Sequence, residues 1–178
     1  GHQQGDDAEH IAVLRWAVEQ REHPVMIRMP FSGYEESPYP VRTDYRDLNK
    51  SIVVTEGRDV ALIGVGNFAA LASEAAEELA YEGIHATVIN PLYLSGLDEE
   101  LLYSLRGKHS LILTLEDGIL AGGFGQKVAS FYARTGDVRV LTYGLPKAFF
   151  NRYNPDALAR EYHLTAPQIA AAVLRELA

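Results

Sequence analysis

The sequence predicts an α/β fold in which helices cover both faces of a mostly parallel open sheet. From about residue 51 onward, short apolar runs alternate with stretches in which apolar residues recur at helical spacing. The runs are rich in valine, isoleucine and leucine and largely lack charge, which is typical of strands buried on both sides. Strands that alternate with helices in this way pair in parallel, because each helix returns the chain to the same edge of the sheet.

The composition narrows the class of protein. The chain has 178 residues, of which 47% are hydrophobic and 22% charged, so it can bury one sizeable core. A net charge of -8 disfavours nucleic acids and anionic membranes as partners. The chain has no cysteine, which excludes disulfides and thiolate chemistry and fits a cytoplasmic protein. No apolar run reaches the ~18 residues that a membrane span needs, so we expect no membrane partner.

The first fifty residues precede the alternating pattern. Helical spacing over Asp7–Glu22 predicts a helix that ends at His23-Pro24, because proline disfavours the helical conformation of the residue before it. Val25–Met29 follows as a predicted strand without a sequence neighbour to pair with. Residues 31–50 mix glycine, prolines, tyrosines and charges without periodicity, which indicates a linker.

The remaining chain divides into the predicted elements of the sheet. The predicted strands are Ile52–Thr55, Val60–Val65, Ala86–Ile89, Leu111–Leu115 and Val138–Tyr143. Helices are predicted at Phe68–Leu79, Asp98–Arg106 and Gly123–Thr135. Two more are predicted after the last strand, one from the N-cap Asn154 and one from a capping box formed by Thr165 and Gln168. Glycines at positions 83 and 107 follow two of these helices, where they are well placed to end them.

The stretch around the fourth predicted strand organises this pattern. Leu111–Leu115 is the central strand, and Glu116 and Asp117 follow at its carboxyl end, the edge at which α/β sheets meet ligands and partners. The two acids are poorly arranged to share one substrate atom, because adjacent strand residues point to opposite sides. Their pattern favours a cap on a helix terminus or a salt bridge across a subunit contact.

Three glycines continue this stretch at the start of the next predicted helix. Gly122, Gly123 and Gly125 allow either a tight turn or a close approach to another surface, since glycine has no Cβ. This part of the chain is therefore our candidate site.

Several motifs that bind cofactors or metals are incomplete or absent in this sequence. Residues 64–69 match the loose dinucleotide fingerprint, but Asn90-Pro91 ends the next strand where an acidic residue is expected, which favours a plain tight turn. Asp117-Gly118 resembles part of the G-D-G start of a thiamine diphosphate site, but Glu116 replaces the first glycine and no asparagine pair follows. The six histidines lie singly, and no G-x-S-x-G elbow occurs, so we expect neither a metal site nor a hydrolase triad.

Six segments together resemble one known family, the 1-deoxy-D-xylulose-5-phosphate synthases, which are transketolase-like enzymes. The segments are His23-Pro24-Val25, Ile27–Pro30, Val60–Gly66, Leu97–Leu101, Thr114–Gly125 and Gly144–Lys147. The chain resembles the C-terminal part of the enzymes of that family, and the resemblance covers the chain from about Glu9 onward. The L-A-G-G-F-G run after T-L-E-D-G is its most specific part.

The resemblance implies a fold, a domain layout and partners. It implies that residues 1–30 are the last helix and strand of a pyrimidine-binding middle domain, that 31–50 are a linker and that 51–178 are a transketolase C-terminal domain. The missing N-terminal and middle domains, and a second copy in a homodimer, are the implied partners.

The resemblance also implies the chemistry of the parent enzyme. That family condenses pyruvate with glyceraldehyde 3-phosphate in isoprenoid biosynthesis, using thiamine diphosphate and magnesium. Its catalytic and cofactor-binding groups lie in the first two domains, so we expect no catalytic residue, metal site or bound cofactor in this chain alone.

One segment departs from the family pattern. The family commonly reads R-Y-P-R-G, and the first arginine corresponds to Arg28, which the resemblance implies to be substrate-binding. Phe31 stands where the second arginine holds the substrate phosphate. Phenylalanine cannot make the bidentate bonds that arginine gives a phosphate, which leaves open the substrate or the way its phosphate is held.

These observations favour a C-terminal fragment that is inactive alone and serves assembly. We expect its contact edge at the loop residues Glu116, Asp117, Gly122, Gly123, Phe124 and Gly125. Two alternatives remain open. One is a free-standing binding or regulatory module of the transketolase C-terminal type, and the other is the tail of an E1 β-like subunit of a 2-oxo acid dehydrogenase.

Overall fold

The computed structural model describes residues 5–29, 42, 44–151 and 154–178, and it describes residues 5–8 by their backbone alone. The chain forms two compact units, Gly1–Leu48 and Asn49–Ala178. Each unit is described by itself below. The boundary lies close to Ser51, where the sequence predicts that the strands begin.

The first unit contains one helix, α1 (Gly5–Glu19), among its described residues. The Gln20 side chain ends it by accepting hydrogen bonds from the backbone N–H groups of Glu22 and His23, each at 2.9 Å. The Trp16 ring lies 6.1 Å from the ring of buried Tyr45, which forms a small apolar contact within the unit.

The strand predicted at Val25–Met29 is wrong, because this segment has no regular structure. A strand requires a hydrogen-bonded neighbour, and none of the described strands pairs with this segment. Met26 accordingly leaves 93% of its surface in solvent. Residues 30–41 and 43, which hold most of the predicted linker, lie outside the described residues.

The second unit is built on a sheet of five strands in the order β1-β3-β2-β4-β5. The strands are β1 (Ile52–Thr55), β2 (Asp59–Gly64), β3 (Thr87–Asn90), β4 (His109–Ile119) and β5 (Arg139–Leu145). β1 pairs antiparallel with β3 at one edge, and the other three pairings are parallel. The prediction of a mostly parallel open sheet is therefore confirmed.

Helices cover both faces of this sheet, as the sequence predicts. They are α2 (Phe68–Tyr81), α3 (Glu99–Leu105), α4 (Phe124–Ala133), α5 (Pro155–Glu161) and α6 (Ala166–Leu177). Val60 and Leu62 of β2 belong to the core under α2 and α6, whereas the alternate residues Ala61 and Ile63 belong to the core under α3 and α4. Full burial of each large side chain contributes about 1.5–3 kcal/mol, so both faces stabilise the sheet.

With one exception, the residues predicted to begin or end the helices do so in the structure. Gly83 and Gly107 adopt positive φ angles of 80° and 79° directly after α2 and α3. The Asn154 side chain accepts a hydrogen bond from the N–H of Ala157 at 3.0 Å and so caps α5. The capping box predicted for α6 is wrong, because the Thr165 hydroxyl donates to the Gln168 side chain at 2.7 Å and makes no bond to the backbone.

The glycine turn after β2 brings strand and helix into close contact. A Cβ at Gly64 would meet the backbone of Phe68 and Ala69, and Gly66 has a positive φ of 59°. The predicted tight turn is therefore confirmed. The described helices include none with the length and apolarity to cross a membrane.

Candidate functional site

The candidate site lies where β4 runs past its neighbours. β4 pairs with β5 at Leu115↔Tyr143 and again at Ile119↔Leu145. Between these two pairs β4 advances four residues and β5 advances two, so residues 116–118 bulge out of the ladder. The predicted end of the strand at Leu115 is therefore too early, because pairing resumes beyond the bulge.

Glu116 turns into the protein at this bulge and caps the next helix. Its side chain is only 4% exposed, and its Oε2 accepts hydrogen bonds from the N–H groups of Phe124 at 2.8 Å and Gly125 at 3.3 Å. These N–H groups begin α4 and have no partner within the helix, and the positive end of the helix dipole favours a carboxylate there. The prediction of a helix-terminus cap is confirmed for Glu116.

The glycines of the loop provide the space for this buried carboxylate. A Cβ at Gly123 would collide with Glu116 Oε1, and a Cβ at Gly144 would lie 3.1 Å from Glu116 Cγ. A Cβ at Gly125 would meet the side chains of Thr114 and Thr142. Close approach is thus the reason for these glycines, because the helix start, the acid and β5 meet at one point.

The turn between β4 and α4 is fixed by its own hydrogen bonds. The N–H of Leu120 donates to the Leu145 carbonyl at 2.9 Å, and the N–H of Gly123 donates to the Leu120 carbonyl at 3.0 Å. Gly122 has a positive φ of 77° and donates its N–H to Gln126 Oε1 at 2.8 Å. The loop is therefore a defined surface of the second unit.

The outer side of this edge is partly apolar. Asp117 points to solvent, as its alternation with Glu116 predicts, and Ile119 is 45% exposed. Phe149, four residues after β5, is 99% exposed, whereas its neighbour Phe150 packs edge to face against Tyr162 with the centroids 5.9 Å apart. Phe149 is not among the predicted site residues, although two adjacent aromatic residues after a strand end are a visible signal in the sequence.

The six predicted loop residues differ in burial. Glu116, Phe124 and Gly125 are buried, Gly123 is half-buried, and Asp117 and Gly122 are exposed. Any contact at this edge is therefore made by the exposed residues, while the buried ones hold the loop in place. Arg28 is exposed and belongs to the first unit, and Phe31 lies outside the described residues.

His109 and Thr87 are buried polar residues elsewhere in the second unit, and they lie within hydrogen-bond distance of each other. His109 Nδ1 lies 3.0 Å from the Leu105 carbonyl, which can only accept, so Nδ1 carries a proton. His109 Nε2 lies 2.7 Å from the Thr87 hydroxyl, whose oxygen also accepts from the N–H of Gly57 at 3.0 Å. Within the described part of the chain, no cluster of three histidine or acidic residues is arranged to hold a metal ion.

Comparison with protein families and curated sequences gives one consistent result. The family model for the transketolase C-terminal domain matches residues 49–169. The 1-deoxy-D-xylulose-5-phosphate synthase of Desulforudis audaxviator is 33% identical over 166 residues, which is 92% of this chain and 26% of that enzyme. The same enzyme of Symbiobacterium thermophilum is 36% identical over 148 residues, or 83% of this chain and 23% of that enzyme. The chain thus spans about a quarter of the length of these relatives.

Solved structures share the fold. A split gene transketolase, described as an inactive β4 tetramer, superposes with a TM-score of 0.69 at 32% identity, covering 80% of this chain and 47% of that one. A transketolase from Pichia stipitis superposes with a TM-score of 0.50 at 15% identity, covering 71% of this chain and 18% of that one. The second likeness concerns the fold alone.

Proposed function

This chain belongs to the transketolase C-terminal domain family, and on that premise we propose that it is part of a thiamine diphosphate-dependent transferase of the 1-deoxy-D-xylulose-5-phosphate synthase type. The observation that carries the proposal is the 33–36% identity to such synthases over most of the chain. In this proposal residues 1–30 are the last part of the middle domain and residues 51–178 are the C-terminal domain. Residues 31–50 are the linker between the two domains. The N-terminal and middle domains of the parent bind the cofactor and magnesium.

The role we propose for the second unit is assembly with a second copy. Ile119 in the bulged part of β4 and Phe149, four residues after β5, are exposed, and exposed aromatic and aliphatic side chains are typical of protein interfaces. A second copy is the proposed partner because the split gene transketolase that shares this fold is described as a tetramer of one subunit type. Arg28 retains its proposed part in substrate binding.

The assembly role is tested by sedimentation of the chain and two variants. We expect the chain to self-associate and Phe149→Ser to weaken that association at least about tenfold, which is about 1.4 kcal/mol. Tyr81→Ser is the matched control, because Tyr81 is an exposed aromatic residue at the end of α2. A strictly monomeric chain, or equal effects of the two substitutions, would contradict the assembly role.

The activity is tested on the longest native chain that contains this segment. We expect it to form 1-deoxyxylulose 5-phosphate from pyruvate and glyceraldehyde 3-phosphate in the presence of magnesium and thiamine diphosphate. Product would also show that Phe31 is compatible with this reaction. No product from a folded, cofactor-bound protein would contradict the synthase proposal.

A transketolase subunit is the second candidate function. The observation that favours it is the likeness to the split gene transketolase, of which this chain covers 47%. The same assay separates the two candidates when xylulose 5-phosphate replaces pyruvate as the donor. Transfer from the ketose phosphate without any reaction of pyruvate would favour the transketolase.

A further inference from the structure

A groove along α4 carries polar side chains that the proposed function does not use, although Gly122 and Gly123 of the candidate loop also line it. It has a volume of about 520 Å³, which is within the range of small-molecule sites. One wall is α4 and the opposite wall is the segment that leads into α3. We name it the α4 groove, and the polar residues and glycine that define it are Gly96, Glu99, Gln126, Lys127, Ser130 and Arg134.

The α4 wall is a regular stripe of polar side chains. Gln126 and Lys127, then Ser130, then Arg134 follow one another at intervals of three or four residues, so they share one face of the helix. A helix packs against a core with a stripe of apolar residues, whereas this stripe is polar. The groove is therefore built as a solvent-facing surface with a polar side.

Two of these side chains are anchored in positions that leave donors available. Lys127 Nζ donates to the carbonyls of Leu94 at 2.6 Å and Ser95 at 3.3 Å, which uses two of its three N–H bonds. Gln126 Oε1 accepts from the N–H of Gly122, so its amide NH₂ is the end that remains for a ligand. Both side chains are held in place before any ligand arrives, which lowers the entropic cost of binding.

The charge of the groove is positive in a chain whose net charge is -8. Lys127 and Arg134 contribute two positive charges, and Glu99 contributes one negative charge. Across the described ranges, the Arg134 guanidinium and the Ser130 hydroxyl make no side-chain hydrogen bond or ion pair. The first N–H groups of α4 are already bonded to Glu116, so the cationic side chains, not the helix terminus, would attract an anion.

We propose that the α4 groove binds a small phosphate ester. Arginine and lysine are the residues that recognise phosphate oxygens, arginine through two parallel bonds. Leu97 and Phe131 also line the groove and offer an apolar surface to an organic body attached to the phosphate. Lys127 and Arg134, which would bind the phosphate, are not among the loop residues proposed for assembly, so this inference does not require self-association.

The test is a titration of the ¹⁵N-labelled chain with phenyl phosphate, followed by amide chemical shifts. Glycine amides appear in a separate region of the spectrum, and those of Gly96, Gly122 and Gly123 line the groove. We expect these three signals to shift and saturate together. Arg134→Gln should raise the Kd at least tenfold, whereas Arg160→Gln should leave it unchanged, because Arg160 lies near the end of α5 outside the groove.

Titrations with inorganic phosphate and with phenol measure separately how much the phosphate and the aromatic ring of the ligand contribute to binding. Inorganic phosphate should shift the same amides with a higher Kd, and phenol alone should shift them weakly. Shifts that do not saturate, or equal effects of Arg134→Gln and Arg160→Gln, would overturn the proposal, since general charge screening would explain both. Equal binding of phenol and phenyl phosphate would overturn it as well, because the phosphate would then contribute nothing.

Discussion

At the scale of single residues, Glu116 determines the shape of the candidate edge. A buried carboxylate is costly unless it is hydrogen-bonded, and this one is bonded to two N–H groups that otherwise lack partners. The acid and the helix terminus therefore satisfy each other. Asp117, one residue later, is exposed.

This difference predicts unequal effects of substituting the two acids. Glu116→Ala should lower the free energy of unfolding by about 2–3 kcal/mol, because it removes charged hydrogen bonds and leaves buried N–H groups unsatisfied. Asp117→Ala should change it by less than about 0.5 kcal/mol, as is usual for an exposed site. Urea unfolding of both variants measures this. Similar losses in the two variants would mean that the cap does not stabilise the fold.

The Tyr132 phenol predicts a dependence of stability on pH. The side chain is 1% exposed and donates to the Leu102 carbonyl at 2.6 Å. Burial, with a smaller contribution from the charge of Asp137, raises the pKa of Tyr132 well above its usual value. In the unfolded chain the phenol ionises near pH 10, so the unfolded state loses its proton first and the fold should lose stability as the pH rises above about 10.

The measurement for Tyr132 is the free energy of unfolding of the chain and of Tyr132→Phe across this pH range. Phenylalanine cannot ionise, so the variant should be less stable at neutral pH but lose less stability in alkali. Parallel pH curves would show that Tyr132 ionises alike in both states. The difference between the two proteins removes the contribution of the other tyrosines and lysines.

Some of the site residues could be predicted from the sequence. The alternation of strand side chains predicted that Glu116 and Asp117 diverge. A helix cap was one of two roles predicted for the pair, beside a salt bridge across a subunit contact. The partners at Phe124 and Gly125 depend on how α4 returns to β4, which spacing alone does not define. The α4 groove was not predicted because it joins segments that are distant in sequence. Phe149 was not predicted although its aromatic pair with Phe150 is a local signal.

At the scale of elements, two helix starts with similar sequences differ in their bonds. Asn154 accepts from the backbone at the start of α5, whereas the Thr165 hydroxyl donates to Gln168 at the start of α6. Asn154→Ala should therefore lower the free energy of local opening of α5 by about 1 kcal/mol, which makes its amide hydrogens exchange about fivefold faster. Thr165→Ala should change exchange in α6 by much less. An equal or larger effect in α6 would contradict this difference.

The prediction of elements succeeded where the signal was local and failed where it depended on pairing. All five strands of the sheet occur at the predicted positions within a few residues, because buried parallel strands have a distinctive composition. Val25–Met29 also reads as an apolar run, but none of the strands in the described part of the chain pairs with it, so it has no regular structure. β4 extends to Ile119 because β5 pairs with it beyond the bulge, and no local pattern contains that information.

At the scale of the whole molecule, the second unit contains its own core. Both faces of the sheet are covered by helices from within Asn49–Ala178. We therefore expect a fragment of residues 49–178 to unfold cooperatively in urea with a native-like dispersed NMR spectrum. A molten or aggregated fragment would show that the first unit is required for folding.

A shorter fragment is the control for this expectation. Residues 49–164 lack α6, whose Ile169 and Val173 are fully buried in the core under α2. Loss of each large buried side chain costs about 2–5 kcal/mol, which together approaches the stability of a whole domain. This fragment should therefore fail to fold. Cooperative unfolding of both fragments would show that α6 contributes little.

The packing around Gly123 restricts how related proteins can change. A methyl group at position 123 would collide with Glu116 Oε1 and would also lie 2.8 Å from the backbone carbonyl of Ile119, so a smaller residue at 116 would not by itself make room for alanine. Loss of the acid would leave the start of α4 uncapped, but a glycine at 123 would still fit. Position 116 can therefore vary without position 123, and surviving lineages should keep glycine at 123 whatever residue stands at 116.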